Sequence, residues 1–412
     1  MFRGLANLDD VIVVGAGPAG NNTALGLARE GYSVTVIDSR QEIGDKLCTG
    51  LIGRECASRF PIDPALVYRE PQSARLVAPG AGPLFFETAR PQACVVDRVA
   101  YVASFAQRAR DAGALYLLGE RVHRIVSQNQ GVTVITGQGS RQARAVVLAT
   151  GFGSPLVRQA GLGSVSDYVT GVQAVVSTDG ADEVEVHLGS DVAPGFFSYL
   201  VPTLPGRALV GLLSRKKAQT RLTNFIQKLR QAGKIKEVVN EAATWGIPLR
   251  PLKRTYLDRM VVVGDAAGQV KPTTGGGIYY SLLAGEAAAQ VLSEALADDD
   301  LSSGNLSRYQ SRWRDLLAAE IEVGYSARRL YEFLTDQQIG ALVKRAAANG
   351  FNSELVDASE GTFDWHGKMI AQIMGNPGLG GALRLINPLL ARLAHRPDIG
   401  TAQSQTTPAY HD

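Results

Sequence analysis

The sequence predicts an α/β protein: a Rossmann-like nucleotide-binding domain interrupted by an antiparallel β-sheet domain and followed by a helical C-terminal region. Three observations carry that expectation. A glycine-rich turn, GAGPAG, joins a β-branched run to a helical segment near the start of the chain. Strand-like alternation fills roughly 160–255, and a buried strand with a glycine-rich continuation returns near 260. The nucleotide-binding domain is therefore expected in three pieces, 1–64, 91–158 and 256–300, around a sheet domain of 65–90 and 159–255. Helices fill 301–400, and 401–412 is expected to be a disordered tail.

The elements follow in order. Residues 11–14 read as a buried parallel strand, 21–30 as a helix ended by Gly31, and 33–37 as a second strand closing on Asp38. A helix over 97–112, a strand over 114–118 and a hairpin of 122–126 with 131–136 come next. Another buried strand, 145–150, ends in Gly151-Phe152-Gly153, and 259–263 precedes GDAAG and a helix from about 276 to 296. VTGVQAVVST, EVEVHL, FFSYLVP and RALVGLL alternate as antiparallel strands with a helix near 224–233 among them. ARLVAP and PLFFET, in 65–90, are expected in the same sheet. Beyond 301 the clearest amphipathic helix is 313–331.

Composition removes several function classes. Of 412 residues, 45% are hydrophobic and 20% charged, an ordinary globular balance. A net charge of +3 gives no nucleic-acid footprint. The longest uncharged stretch, 11–28, is broken by glycines, a proline and two asparagines, so it is no membrane span. MFRGLANLDD has no signal-peptide core, and three cysteines without a CxxC spacing point to a reducing cytoplasm. His123, His187, His366, His395 and His411 show no metal or triad spacing, and neither GxSxG nor HExxH occurs, so no metal is expected.

The chemistry lies in the glycine-rich segments. Gly15 permits the tight turn, Gly17 lets a pyrophosphate approach the backbone, and Gly20 allows helix and strand to pack closely. The helix N-terminus then faces the phosphates, and Asp38, 18 residues after Gly20, is placed for a ribose hydroxyl. A nicotinamide-only dehydrogenase would continue as βα repeats, whereas this chain breaks off and returns with GDAAGQVKPTTGGGIYYSLLAG. An extended cofactor such as FAD needs such a second end. Asp265 can hold its ribityl or pyrophosphate portion, and the N–H groups of Gly275, Gly276, Gly277 and Ile278 can meet the flavin carbonyl edge. No second nucleotide fingerprint is present, so NAD(P)H or another donor would bind only transiently.

The DxxVxGAGPAG start, Arg98 in CVVDR, the ATG strand end at 149–151 and the GDAAG segment resemble the para-hydroxybenzoate hydroxylase superfamily of FAD proteins. KLCTG at 46–50, FSYLVP at 197–202 and GDAAGQVKPTTGGGIYYSLLAG at 264–285 resemble its geranylgeranyl reductase family. The resemblance spans about 8–300. It implies FAD contacts from Gly15, Gly17, Pro18, Ala19, Gly20, Asp38, Ser39, Arg98, Val122, Thr150, Gly151, Gly264, Asp265, Pro272, Gly275, Gly276, Gly277 and Ile278. It further implies substrate contacts from Gly50, Phe197, Tyr199 and Pro202, and catalytic roles for Cys48 and Tyr199. Phe197, Tyr199 and Val201 stand where the family often has Tyr, Trp and Phe, and Gly268 stands where the hydroxylases usually carry His.

The expected activity is saturation of C=C bonds in a polyisoprenoid chain on a lipid, quinone or chlorophyll precursor. Alternatives are an FAD monooxygenase of an aromatic or polyketide-like substrate and a redox-neutral isoprenoid cyclase. The electron donor would be NAD(P)H or a ferredoxin-type protein. Cys48, following the neutral Leu47, is read as a neutral thiol that donates a proton, and Cys56 and Cys94 as buried packing residues. Between Asp364 and Asp398 the chain carries Lys368, Arg384, Arg392 and Arg396 and no acid. That stretch is either a helix packed on the core or a peripheral contact with anionic lipid on the inner face of the membrane.

Overall fold

A computed structural model describes residues 8–44, 48–128, 130–179, 181–348, 363–367 and 370. Lys46, Leu47, the four basic residues of 365–397, His395, His411 and the tail 401–412 lie outside the described residues.

The β-branched runs of the N-terminal unit form the heart of a parallel sheet. Asp9–Val14 lies between Val34–Asp38 and Gly139–Leu148; Leu115–Leu118 and Met260–Val262 extend the sheet on either side. Val11, Ile12, Val13, Val146 and Val147 have no exposed surface, because helices cover one face and an antiparallel flap lies against the other. Two-sided burial is what such unbroken apolar runs require. The flap is made of Val122–Gln128 and Gly131–Thr136, paired with each other and with the start of Gly139–Leu148.

The first helix, Pro18–Arg29, packs on Ile278–Ala297 although about 260 residues separate them. Gly26 permits the approach, since a Cβ there would come within 2.6 Å of the Ala289 methyl. Asn22 and Thr23 donate to the carbonyls of Leu282 and Gly285 and stitch the pair together. The GAGPAG turn and the GDAAG segment are thereby held side by side.

A seven-stranded sheet forms the second layer, in the order Ala243–Pro248, Tyr168–Ser177, Arg207–Ser214, Phe197–Pro202, Val184–Leu188, Ser73–Val77, Leu84–Glu87. Every pairing is antiparallel except that of Val184–Leu188 with Ser73–Val77. The segment 65–90 divides between sheets. Val67–Arg69 pairs with Ala93–Val96, which also pairs with Leu51–Gly53, making a small third sheet. Ala218–Gln231 begins earlier than its apolar pattern suggests, because its first turn is mostly polar and its buried residues gather at Leu222, Phe225, Ile226 and Leu229.

Ser303–Glu332 also starts ahead of the amphipathic stretch, where the Ser302 hydroxyl accepts from the Asn305 N–H. Its buried face docks on the end of the parallel sheet: Trp313 donates to the Thr255 hydroxyl at 2.9 Å and Tyr309 to the Val262 carbonyl at 2.9 Å. Asp336–Ala348 follows. Among the described residues no helix is long and apolar enough to cross a membrane.

Candidate active site

Three backbone segments converge at the C-terminal ends of the parallel strands. A Cβ on Gly15, whose φ is +113°, would lie 2.3 Å from the Ala149 carbonyl oxygen. One on Gly20 would lie 2.0 Å from the Gly15 oxygen, and one on Gly264 2.9 Å from the Ala19 methyl. Gly17 differs, because nothing lies within 4 Å of its Cβ position. Two of the motif glycines are therefore demanded by packing, and the middle one leaves the backbone open. The helix beginning at Pro18 has no side-chain cap and no acid in its first turn, which leaves its positive end for an anion. Beside it the Thr150 hydroxyl is buried without a hydrogen-bond partner among the described residues. An orphaned hydroxyl next to bare backbone suits a polar ligand atom.

Asp38 ends the neighbouring strand. Its carboxylate accepts from the Ala16 N–H at 2.7 Å and the Arg40 N–H at 2.8 Å, so it is aimed at the glycine turn by that turn itself. Ser39 is exposed, while the Val122 side chain packs in the core with Ile37 and Leu148. Arg98 opens the helix Arg98–Asp111, is buried, and donates to the Gly44 carbonyl.

At the other end, a Cβ on Gly277 would sit 2.8 Å from the Asp265 carboxylate. Pro272 is buried, and Lys271 lies beneath the glycine loop with its Cε 3.1 Å from the Cβ position of Gly276. A short C-terminal segment clamps this loop. Lys271 donates to the Phe363 carbonyl at 2.9 Å and stands 4.0 Å from the Asp364 carboxylate. Asp364 accepts from the N–H groups of Glu55 and Cys56, Trp365 donates to Glu55, and the Gly367 N–H donates to Glu320. Burial lowers the Lys271 pKa and raises that of Asp364. It also pulls His366 down to about 3, so the ring is neutral near pH 7 and Nδ1 accepts from the Thr273 hydroxyl. Sequence reasoning missed this cluster. The available signal was Lys271, the single charge in 266–285.

The third group joins loop to sheet. In an antiparallel ladder, residues directly opposite share a face. Gly171 lies opposite Leu213 and Trp245, Gln173 opposite Gly211, and Gly211 opposite Tyr199. Phe197, two residues from Tyr199, joins the same face, and the two rings stand 6.2 Å apart. The glycines make room for the aromatic side chains: a Cβ on Gly171 would meet the Trp245 indole at 2.8 Å, and one on Gly211 the Tyr199 hydroxyl at 2.3 Å. Gly275 touches this face too, its Cβ position being 3.0 Å from Ile247 and 3.1 Å from Leu213. Cys48 is half-buried at the edge; its carbonyl accepts from Gln173 Nε2 at 3.4 Å, and Gln173 Oε1 accepts from Tyr199 at 2.8 Å. Gly50, at φ +68°, turns this loop into the small sheet.

The structure thus gathers Cys48, Tyr199 and Phe197 on one side of the seven-stranded sheet, together with Gln173 and Trp245, which the sequence did not single out. Pro202 is not among them. Three residues beyond Tyr199, it points to the opposite face and lines a separate cleft of about 290 Å³ with Arg69, Glu70 and Val95. Cys56 and Cys94 are buried thiols, and burial pushes Cys94 up to about 11. Among the described residues no His, Cys, Asp and Glu cluster could hold a metal ion.

Comparison with known proteins identifies the family and the fold. Residues 52–291 match the family model of the FAD dependent oxidoreductases, and 13–48 match an NAD(P)-binding Rossmann-like domain. A digeranylgeranylglycerophospholipid reductase from Methanocaldococcus jannaschii is 30% identical over 373 residues, covering 83% of this chain and 92% of that protein. The chain belongs to the geranylgeranyl reductase family of FAD-dependent oxidoreductases. Another member, digeranylgeranylglycerophospholipid reductase 2 of Methanopyrus kandleri, is 29% identical across 81% of this chain and 89% of its own length. The fold is that of a geranylgeranyl bacteriochlorophyll reductase-like protein from Thermoplasma acidophilum, with a TM-score of 0.76 at 24% identity over 82% of this chain and 91% of that one. A probable FAD-dependent monooxygenase from Pseudomonas aeruginosa shares the architecture at a TM-score of 0.62 and 18% identity, over 82% of this chain and all of that one, 100%. The bare turn at Gly17 and the orphaned Thr150 hydroxyl leave room and a polar partner that fit FAD.

Proposed function

We propose that this enzyme uses FAD to saturate C=C bonds of a polyisoprenoid, geranylgeranyl-type chain carried by a lipid. The observation that carries the proposal is the aromatic face of the seven-stranded sheet, where Tyr199 is buried and Phe197 and Trp245 are half-buried, with Cys48 at its edge and the Gly275 loop against it. An unactivated alkene has no carbonyl to polarise. What a protein can offer it is orientation in a water-poor slot and a proton at the right carbon. The turn at 15–20, Asp38 and Thr150 would hold the nucleotide half of FAD, and Asp265 with Gly275, Gly276, Gly277 and Ile278 the flavin half. Reduced FAD supplies the hydride. Phe197, Tyr199 and Trp245 present flat apolar surfaces to successive isoprene units, and Cys48 holds the proton at Sγ.

The electron donor is NAD(P)H or a ferredoxin-type protein that meets the cofactor transiently. The basic stretch 365–397 makes a peripheral contact with anionic membrane, each cation adding about 1 kcal/mol at low salt. Flotation with anionic and neutral vesicles checks the membrane contact, and equal recovery from both would remove it. The activity itself is tested by mass spectrometry of geranylgeranyl-bearing lipids incubated with the chemically reduced holoprotein. A gain of two hydrogens per bond is expected. Oxygen insertion, or an unchanged mass, would overturn the proposal.

A further inference from the structure

Gln173 has no exposed surface, and both ends of its amide are engaged, by the Cys48 carbonyl and by the Tyr199 hydroxyl. A carbonyl oxygen only accepts, so Nε2 must face Cys48 and Oε1 must face Tyr199. The phenol proton is therefore committed to Gln173. Gly211, whose Cβ position is 2.3 Å from that hydroxyl, lets the phenol lie against the strand and leaves it little room to move. Burial, reinforced by the nearness of Cys48, pushes the Tyr199 pKa up, so the phenol stays neutral.

We infer that Gln173 is a positioning residue for the reduction proposed above. It turns the Tyr199 proton away from Cys48, leaves the phenol oxygen as an acceptor on that side, and makes the Cys48 thiol rather than the phenol the proton source. The proton step balances on the chain's own atoms: the S–H bond breaks, its electron pair stays on sulfur, and the alkene π pair forms the new C–H bond. The neighbouring carbon takes the hydride, and water returns a proton to sulfur before the next cycle. The inference rests on Cys48 being the proton donor.

The test is the rate–pH profile of Cys48 alkylation by iodoacetamide in the FAD-loaded protein, read by intact mass, with Cys48→Ala as the blank for Cys56 and Cys94. Gln173→Leu frees the phenol to turn and donate to sulfur, which favours the thiolate. Its profile should move to lower pH by about half a unit, roughly threefold faster alkylation at neutral pH. Adding Tyr199→Phe to Gln173→Leu should abolish that shift. Tyr199→Phe alone keeps the ring and should not move the profile to higher pH; this arm decides the matter if Gln173→Leu fails to fold. A move to higher pH in Tyr199→Phe would mean that the phenol already donates to sulfur, and would overturn the inference. So would an unmoved Gln173→Leu profile, or a shift that survives in the double variant. Alkylation needs no lipid, so its outcome stands apart from the mass-spectrometric test of the activity.

Discussion

The glycine turn at 15–20 and the Cys48–Gln173–Tyr199 group are built in opposite ways. The turn consists of contiguous residues, and its demands are on backbone conformation and on the absence of a Cβ. The second group consists of three side chains from separate segments, with Gln173 125 residues from Cys48 and 26 from Tyr199. A backbone site tolerates almost no chemistry but is announced by its glycines. A side-chain network depends on sheet register, so any one member looks ordinary in the sequence.

Substitution should expose that contrast, most strongly at the turn. Gly15→Val combines a clash at 2.3 Å with a φ of +113°. Overpacking and backbone strain together should remove about 2–6 kcal/mol of stability, read as loss of folded, FAD-bearing protein in thermal melts. Gly17→Ala meets nothing within 4 Å and sits in extended backbone, so its melting should scarcely change while FAD affinity falls. Equal destabilisation by the two would contradict the division of roles between the glycines.

Asp38→Ala should weaken FAD binding about 10- to 100-fold, the range for a lost charge-assisted hydrogen bond, measured by fluorescence titration of the apoprotein. An unchanged Kd would place the ribose elsewhere. On the sheet side, Cys48→Ala should retain FAD yet slow substrate-dependent flavin reoxidation at least about tenfold, a barrier increase of about 1.4 kcal/mol. Cys94→Ala is the control, and equal rates in both would make Cys48 a packing residue.

The smallest effect concerns the clamp. His366 has a folded pKa of about 3 against an ordinary 6.5, so the unfolded chain protonates first as pH falls. Stability present above about 6.5 is lost progressively towards 3, by about 1 kcal/mol between pH 7 and 5.5. His366→Gln should flatten the melting temperature over that interval. The same slope in both proteins would show that another group titrates.

Individual residues show how far the sequence could be read. The βαβ unit, the glycine turn and the place of Asp38 at the end of the second strand were legible because they follow from local chemistry: β-branched residues for a strand buried on both faces, glycine for a positive φ. Cys48 and Tyr199 were singled out only by family resemblance, whereas Gln173 inside an apolar-looking strand carried no signal. Pro202 was misplaced because the motif FSYLVP reads as one surface, while the pleat sends Tyr199 and Pro202 to opposite faces.

By itself, then, the sequence determined the parallel strands, the two glycine-rich segments and the presence of an inserted sheet, all of which rest on interactions between near neighbours. The tertiary structure alone decided that Lys271 is covered by Phe363 and Asp364, that the first helix meets Ile278–Ala297, and that Gln173 lies between Cys48 and Tyr199. Those contacts bring together residues 26 to about 260 positions apart, and only the packing of helix on helix and the register of strand against strand selects them.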